Sequence, residues 1–139
     1  MTEKYILSGD IRPIIPVPHD CIVTNISEDA DYLIFAFEDD ISTHESIINI
    51  HPTAKSLIIR FHKTKYFSED SELYKYKQYK HHEGYMRKPL KKLFKLTKSR
   101  VEYLYHYLAW NAMIIELCSN ESVVLKIQTD YVEYDWIEC

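Results

Sequence analysis

Glycine is nearly missing from this 139-residue chain; it occurs twice, at Gly9 and Gly84. Few turns can rely on positive φ, and a glycine-rich phosphate cradle is excluded, and with it nucleotide binding by that route. Cysteine is sparse too. Cys21, Cys118 and Cys139 form an odd set with no CxxC, so neither a redox motif nor a zinc knuckle is signalled, and a reducing cytoplasmic setting is expected. No window approaches the roughly 20 uninterrupted apolar residues of a membrane span. Nor does an apolar run of signal-peptide length follow residues 1–5.

What is present has a globular balance: 46% hydrophobic and 27% charged residues in 16.6 kDa, which predicts one domain over 1–139. Tyrosine is abundant, with 12 copies. Its ring favours strands and half-buried surfaces, while its hydroxyl needs a partner or water.

The net charge of −4 hides segregation. Residues 1–54 hold two basic and ten acidic side chains, and 55–74 hold four and three. Residues 75–100 hold ten basic and one acidic, whereas 101–139 hold one basic and seven acidic. Either these blocks neutralise one another across the fold, or a patch is left to meet a charged partner.

Along the chain, 10–20 carries three of the five prolines and reads as an extended lead-in. Residues 21–26 and 32–38 read as a hairpin whose second strand, apolar on both faces, is central in its sheet. A short strand is expected at 46–50, before Pro52. Alternation at 55–63 (Leu57, Ile59, Phe61 against Ile58, Arg60, His62) predicts a half-buried strand, and 64–72 a loop. Residues 73–81, where lysines alternate with tyrosines, predict an exposed strand protected from edge pairing by charge. Pro89 opens a helical pattern, with Leu90, Leu93, Phe94 and Thr97 on one face and Lys91, Lys92, Lys95 and Lys98 on the other. Residues 100–118 fit either period, and their aromatic and β-branched content favours a hairpin turning near Trp110-Asn111. A terminal hairpin of 123–128 and 131–137, around Thr129-Asp130, completes the chain. The fold class expected is α+β, dominated by antiparallel sheet with one basic amphipathic helix near 89–98.

Chemistry is thinly signalled. His19-Asp20 could polarise an imidazole for acid/base work, but a turn cap at the mouth of a strand accounts for both residues. His81-His82-Glu83 looks like a metal cluster, yet neighbours on a strand point to opposite faces. No nucleophile elbow occurs, and Cys21 and Cys118 sit in apolar strands, where a thiol behaves as a small hydrophobe. Asp39-Asp40 and Glu69-Asp70 lie in expected turns. No residue is therefore read as catalytic or metal-ligating, and no cofactor is implied.

The stretch His19-Asp20-Cys21-Ile22-Val23, followed by the apolar strand 32–37 and echoed by Tyr134-Asp135-Trp136, resembles small bacterial β-rich proteins. In these, a His-Asp-small-x-apolar opening leads into the first strand. They include uncharacterised groups and immunity proteins of contact-dependent and polymorphic toxin systems. The resemblance implies a non-enzymatic β-rich fold and a protein partner, with His19 and Asp20 in a structural role.

The resulting expectation is a protein-binding module, an immunity-type inhibitor occluding a toxin or other enzyme through a charged face. That face is read as Tyr74, Tyr76, Lys77, Tyr79, Lys91, Lys92 and Lys95, with the acidic loops 28–31 and 38–40 as the other choice. Tyrosine supplies wide contact at small rotamer cost. The runner-up is a nucleic-acid-binding accessory protein, its lysines gripping phosphates while tyrosines stack bases. A hydrolase built around His19 is the third reading.

Overall fold

Alternation of buried and half-buried side chains builds most of this molecule. In Tyr32–Phe37, the side chains of Leu33, Phe35 and Phe37 are buried and those between them half-buried, as expected of a strand with one face on a core. The computed structural model describes residues 1–138, with Tyr79 described through its backbone alone. Nine strands occur among the described residues. They are β1 (Thr2–Ile6), β2 (Ile22–Glu28), β3 (Tyr32–Phe37), β4 (Ala54–Lys63), β5 (Glu72–Tyr79), β6 (His82–Lys88), β7 (Val101–Ala109), β8 (Ala112–Ser119) and β9 (Glu121–Glu138). Their pairings are antiparallel, so antiparallel sheet dominates the fold. Among the described residues no helix is long and apolar enough to cross a membrane.

The pairing order β4-β3-β2-β7-β8-β9 returns from β9 to β4, closing six strands into a barrel. Its thinnest seam is β2 against β7, where Ile22 lies opposite Glu102 and Val23 opposite Val101. The interior is filled by alternate side chains, among them Phe35, Phe61, Tyr103, Ile115, Leu125, Tyr134 and Trp136, as small barrels require. Strand β9 is the spine. Its first half pairs with β8 and β5, and its second half with β4 and β1. The β5–β6 hairpin extends the sheet beyond the barrel, leaving β6 as its outer edge.

The hairpins β2–β3 and β7–β8 form where alternation placed them, the second turning at Trp110-Asn111 with Asn111 at φ 52°. Four other segments differ from the sequence expectation. The terminal hairpin is instead one 18-residue strand, β9. Thr129 and Val132 are both buried, with Asp130 and Tyr131 half-buried between them, and Lys63 pairs with Thr129 while Phe61 pairs with Val132. The polar pair is thus a bulge, which bends a strand without ending it. The Thr129 hydroxyl bridges it by donating to the Tyr131 carbonyl at 2.9 Å.

Residues 46–50 are not a strand. A 3-10 turn, Ile41–Thr43, leads into the short helix α1 (Glu45–Ile48). Strand β4 already has β3 on one edge and β9 on the other, so no ladder is free for this segment. A helical turn instead buries Ile47 and leaves Ile48 and Ile50 exposed.

The basic helix Leu90–Lys98 is 3-10 in form, and it is joined by α1 and by α2 (Phe67–Asp70), the latter inside the expected loop. At three residues per turn, Leu90, Leu93 and Leu96 fall into one stripe. Leu93 and Leu96 are buried and Leu90 partly so. The lysine-rich strand is not the sheet edge either: β5 lies between β9 and β6, a strand that sequence patterning missed.

Candidate interaction surface

Strand pleating sorts the residues of the β5–β6 hairpin into two faces. Tyr74 pairs with Arg87 on β6 and Val124 on β9, and Tyr76 pairs with Tyr85. These side chains share the outer face. The same face continues across β9 and β8 to β7, where Glu116 pairs with Val124 and Tyr105, and Ile114 pairs with Lys126 and Tyr107. Five tyrosines (74, 76, 85, 105 and 107) therefore stand on one side of the sheet. Tyr85, Tyr105 and Tyr107 are about half exposed, at 52%, 48% and 50%.

Three of the hydroxyls are tied to fixed partners. Tyr74 donates to Glu72 at 2.5 Å, Tyr76 donates to Glu83, and the Tyr85 and Ser122 hydroxyls share a hydrogen bond of 2.9 Å. Hydrogen bonding to Glu72 raises the Tyr74 phenol above its ordinary pKa, Glu83 does the same to Tyr76, and the charge of Glu116 raises Tyr107. The Tyr76 and Tyr85 rings meet edge to face, with centroids 5.7 Å apart. Oriented rings lose less rotamer entropy on binding. Beyond β7 the face runs into an apolar groove bordered by Pro13, Ile14, Tyr105 and Tyr107. Ile14 is 93% exposed and Trp110 62%.

The lysines lie on the other side. Lys75 and Lys77 alternate with the tyrosines of β5, and Lys77 pairs with Glu121 at 3.3 Å. Lys75 joins Lys92 and Lys95 of the 3-10 helix in a groove of about 300 Å³, completed by Leu96, Ser99, Ser119, Asn120 and Glu121. Lys91 is exposed on that helix and does not line the groove. The side chain of Tyr79 lies outside what the structure describes.

The seven residues read from the sequence thus divide. Tyr74 and Tyr76 belong to the tyrosine face, Lys92 and Lys95 line the lysine groove, and Lys77 is paired to Glu121 beside it. Sequence reasoning did not single out Tyr85, Tyr105 or Tyr107 for this face. The period-2 spacing of Tyr105 and Tyr107 was a usable signal. The bulge at Leu104, which sends Tyr103 inward opposite Leu117 while Tyr105 points out, was not.

In the acidic loops, Asp29 and Glu38 are held by local backbone, while Asp31, Asp39 and Asp40 are exposed. Asp29 accepts from the backbone N–H of Asp31 and Tyr32 at 2.8 and 2.7 Å, which lowers its carboxyl pKa. Glu38 accepts from the Ile22 N–H and lies 3.5 Å from His44. His19 and Asp20 are exposed and 3.4 Å apart, with Asp20 at φ 67° in the turn that enters β2. Cys21, beneath them, is buried, and burial pushes its thiol up to about 12, away from nucleophilic use. His106, unremarked in the sequence, is buried inside the barrel and holds the proline segment through Nε2 to the Ile15 carbonyl at 3.1 Å. No protein-family model matches the chain, and comparison with curated proteins and with solved structures returns no match.

Proposed function

We propose that this protein acts by contact, binding another protein and covering a functional surface of it, with no bond made or broken. The observation that carries this reading is the row of five tyrosines on one outer face, three of them half exposed and three held through hydroxyl hydrogen bonds. Tyrosine is enriched at binding hot spots because it combines wide apolar area with one hydrogen bond. The exposed Ile14 and Trp110 extend the same apolar character beyond the row. Occlusion of a toxin or other enzyme is the mode of the immunity-type proteins that the opening strand resembles.

The pleat works against the nucleic-acid reading. Base stacking and phosphate gripping must act on the same strand of nucleic acid, yet the tyrosines and the groove lysines lie on opposite faces of the hairpin. The tyrosine face also carries Glu72, Glu83 and Glu116, which outnumber its Arg87 and Lys126 and weaken any hold on phosphate.

Affinity capture from the native cells, read by quantitative mass spectrometry, tests the proposal. The protein retained by the wild type is expected to disappear from a Tyr74→Ser/Tyr76→Ser/Tyr107→Ser variant. A Tyr32→Phe/Lys4→Gln variant, altered on the opposite side, is expected to retain it. Equal retention by both, or a captured nucleic acid in place of a protein, contradicts the reading.

A further inference from the structure

We infer that the lysine groove is a second recognition site, built to take an acidic peptide segment of the partner. The inference rests on the protein-binding reading above and names what a different part of the surface recognises. Four observations converge on it. Lys75, Lys92 and Lys95 approach one another from two elements, β5 and the 3-10 helix, around a single concavity. None of the three forms an ion pair among the described residues, whereas Lys77, Arg87 and Arg100 are paired to Glu121, Glu72 and Glu102.

The groove is also lined by Ser99, Ser119 and Asn120, polar side chains able to hydrogen-bond an anion, with the Asn120 amide donating to the Ser99 hydroxyl at 3.4 Å. Finally, Glu121 sits at the rim of the groove with its carboxylate held by Lys77 at 3.3 Å, so a lysine–carboxylate pair already forms beside it. An incoming carboxylate joins the unpaired lysines and competes with Glu121 for the local positive potential.

The occupant is a peptide rather than nucleic acid because of what the lining lacks. Among the described residues its lining is lysine, leucine, serine, asparagine and glutamate, with no aromatic ring for a base to stack on. A flexible lysine ammonium is a point charge that suits carboxylates scattered along an extended chain, whereas bidentate recognition would call for arginine. The helix supplies Lys92 and Lys95 three residues apart, so in 3-10 geometry they stack along one line and present a short charged rail to an extended segment.

The test titrates the full chain with a capped hexaglutamate peptide, followed by calorimetry at low and physiological salt. A Lys92→Glu/Lys95→Glu variant is expected to weaken binding about tenfold, since two attractive contacts become repulsive. A Lys55→Glu/Lys65→Glu variant, with the same change in net charge at exposed positions elsewhere, is expected to bind within about twofold of the wild type. Glu121→Gln, which removes the internal competitor, is expected to tighten binding about threefold.

Equal weakening by the two double variants overturns the inference, because net charge and not the groove would then be responsible. A thymidine 12-mer that binds more tightly than hexaglutamate, with Lys92 and Lys95 required, overturns it in favour of nucleic acid. Absence of hexaglutamate binding with tyrosine-dependent capture intact removes the groove alone and leaves the tyrosine face standing.

Discussion

Strand β9 passes through both sides of the barrel, and its two halves meet solvent in different ways. Around the second half, polar groups are matched within the molecule. Arg60 pairs with Asp135 at 3.4 Å, His62 with Asp130 at 2.7 Å and Lys63 with Glu28 at 3.2 Å. Tyr131 stacks on His62, shares a 2.8 Å hydrogen bond with Tyr32 and carries the Lys4 ammonium 4.0 Å over its ring. Around the first half, tyrosine rings stand half exposed on one face, and on the other three lysines form no ion pair among the described residues. The first arrangement satisfies itself, and the second leaves contact area and charge for something else. Apolar and charged groups left outward in this way bear on partners more than on folding.

Substitutions sharpen that contrast, and the largest effect lies inside. Trp136 is 1% exposed, stacks on His51 with centroids 4.2 Å apart and donates to Glu3 at 2.6 Å. Trp136→Ala should lower stability by about 3–5 kcal/mol in denaturant titration. A loss no larger than that at a surface tyrosine would break the division between the halves. The bulge comes next: Thr129→Val keeps the shape but removes the hydroxyl that bridges to Tyr131, and should cost about 1 kcal/mol.

A smaller effect separates the regions by pH. Burial lowers the pKa of His106, so the native state holds the neutral ring. The unfolded chain then takes up a proton first, near its ordinary pKa of about 6.5. Stability is fully present above that pH and declines as pH falls through it. Thermal melts from pH 8 to pH 5 should show this decline in the wild type and a weaker one in His106→Gln. The phenols of Tyr74, Tyr76 and Tyr107 are raised above their ordinary value and do not titrate in that range. The smallest effect is expected on the tyrosine face, where Tyr74→Ser, Tyr76→Ser and Tyr107→Ser should each change stability by about 0.5 kcal/mol or less.

The parts of this fold legible in the sequence are those that local alternation determines. Leu33, Phe35 and Phe37, or Leu57, Ile59 and Phe61, declare both the strand and its inner face, and the aromatic run of β7 with Asn111 declares a hairpin. Which strand neighbours which is not written in alternation. Closure of the barrel pairs Ala54 with Glu138, and nothing local to either residue points to the other. A phase slip at Thr129-Asp130 reads as a turn from one strand, and becomes a bulge only when β4 holds both sides of it. Leu90, Leu93 and Leu96 repeat every three residues, the stripe of the 3-10 form observed, whereas the α-helical face expected from the sequence took Phe94 and Thr97 and left Leu96 out.

The candidate surface was half legible for a related reason. Interleaved tyrosine and lysine show that a strand has two unlike faces, and the sequence reading joined them into one. The pleat separates Tyr74 and Tyr76 from Lys75 and Lys77, while β6 and β7 bring in Tyr85, Tyr105 and Tyr107 from distant segments.

Site-specific photo-cross-linking puts the central claim to its most direct test. Benzoylphenylalanine replaces Tyr76 on one side of the barrel or Tyr131 on the other, and each protein is irradiated in its native cells. The account predicts a discrete adduct with another polypeptide from position 76 and none from position 131. An adduct from position 131 with none from position 76 would contradict it.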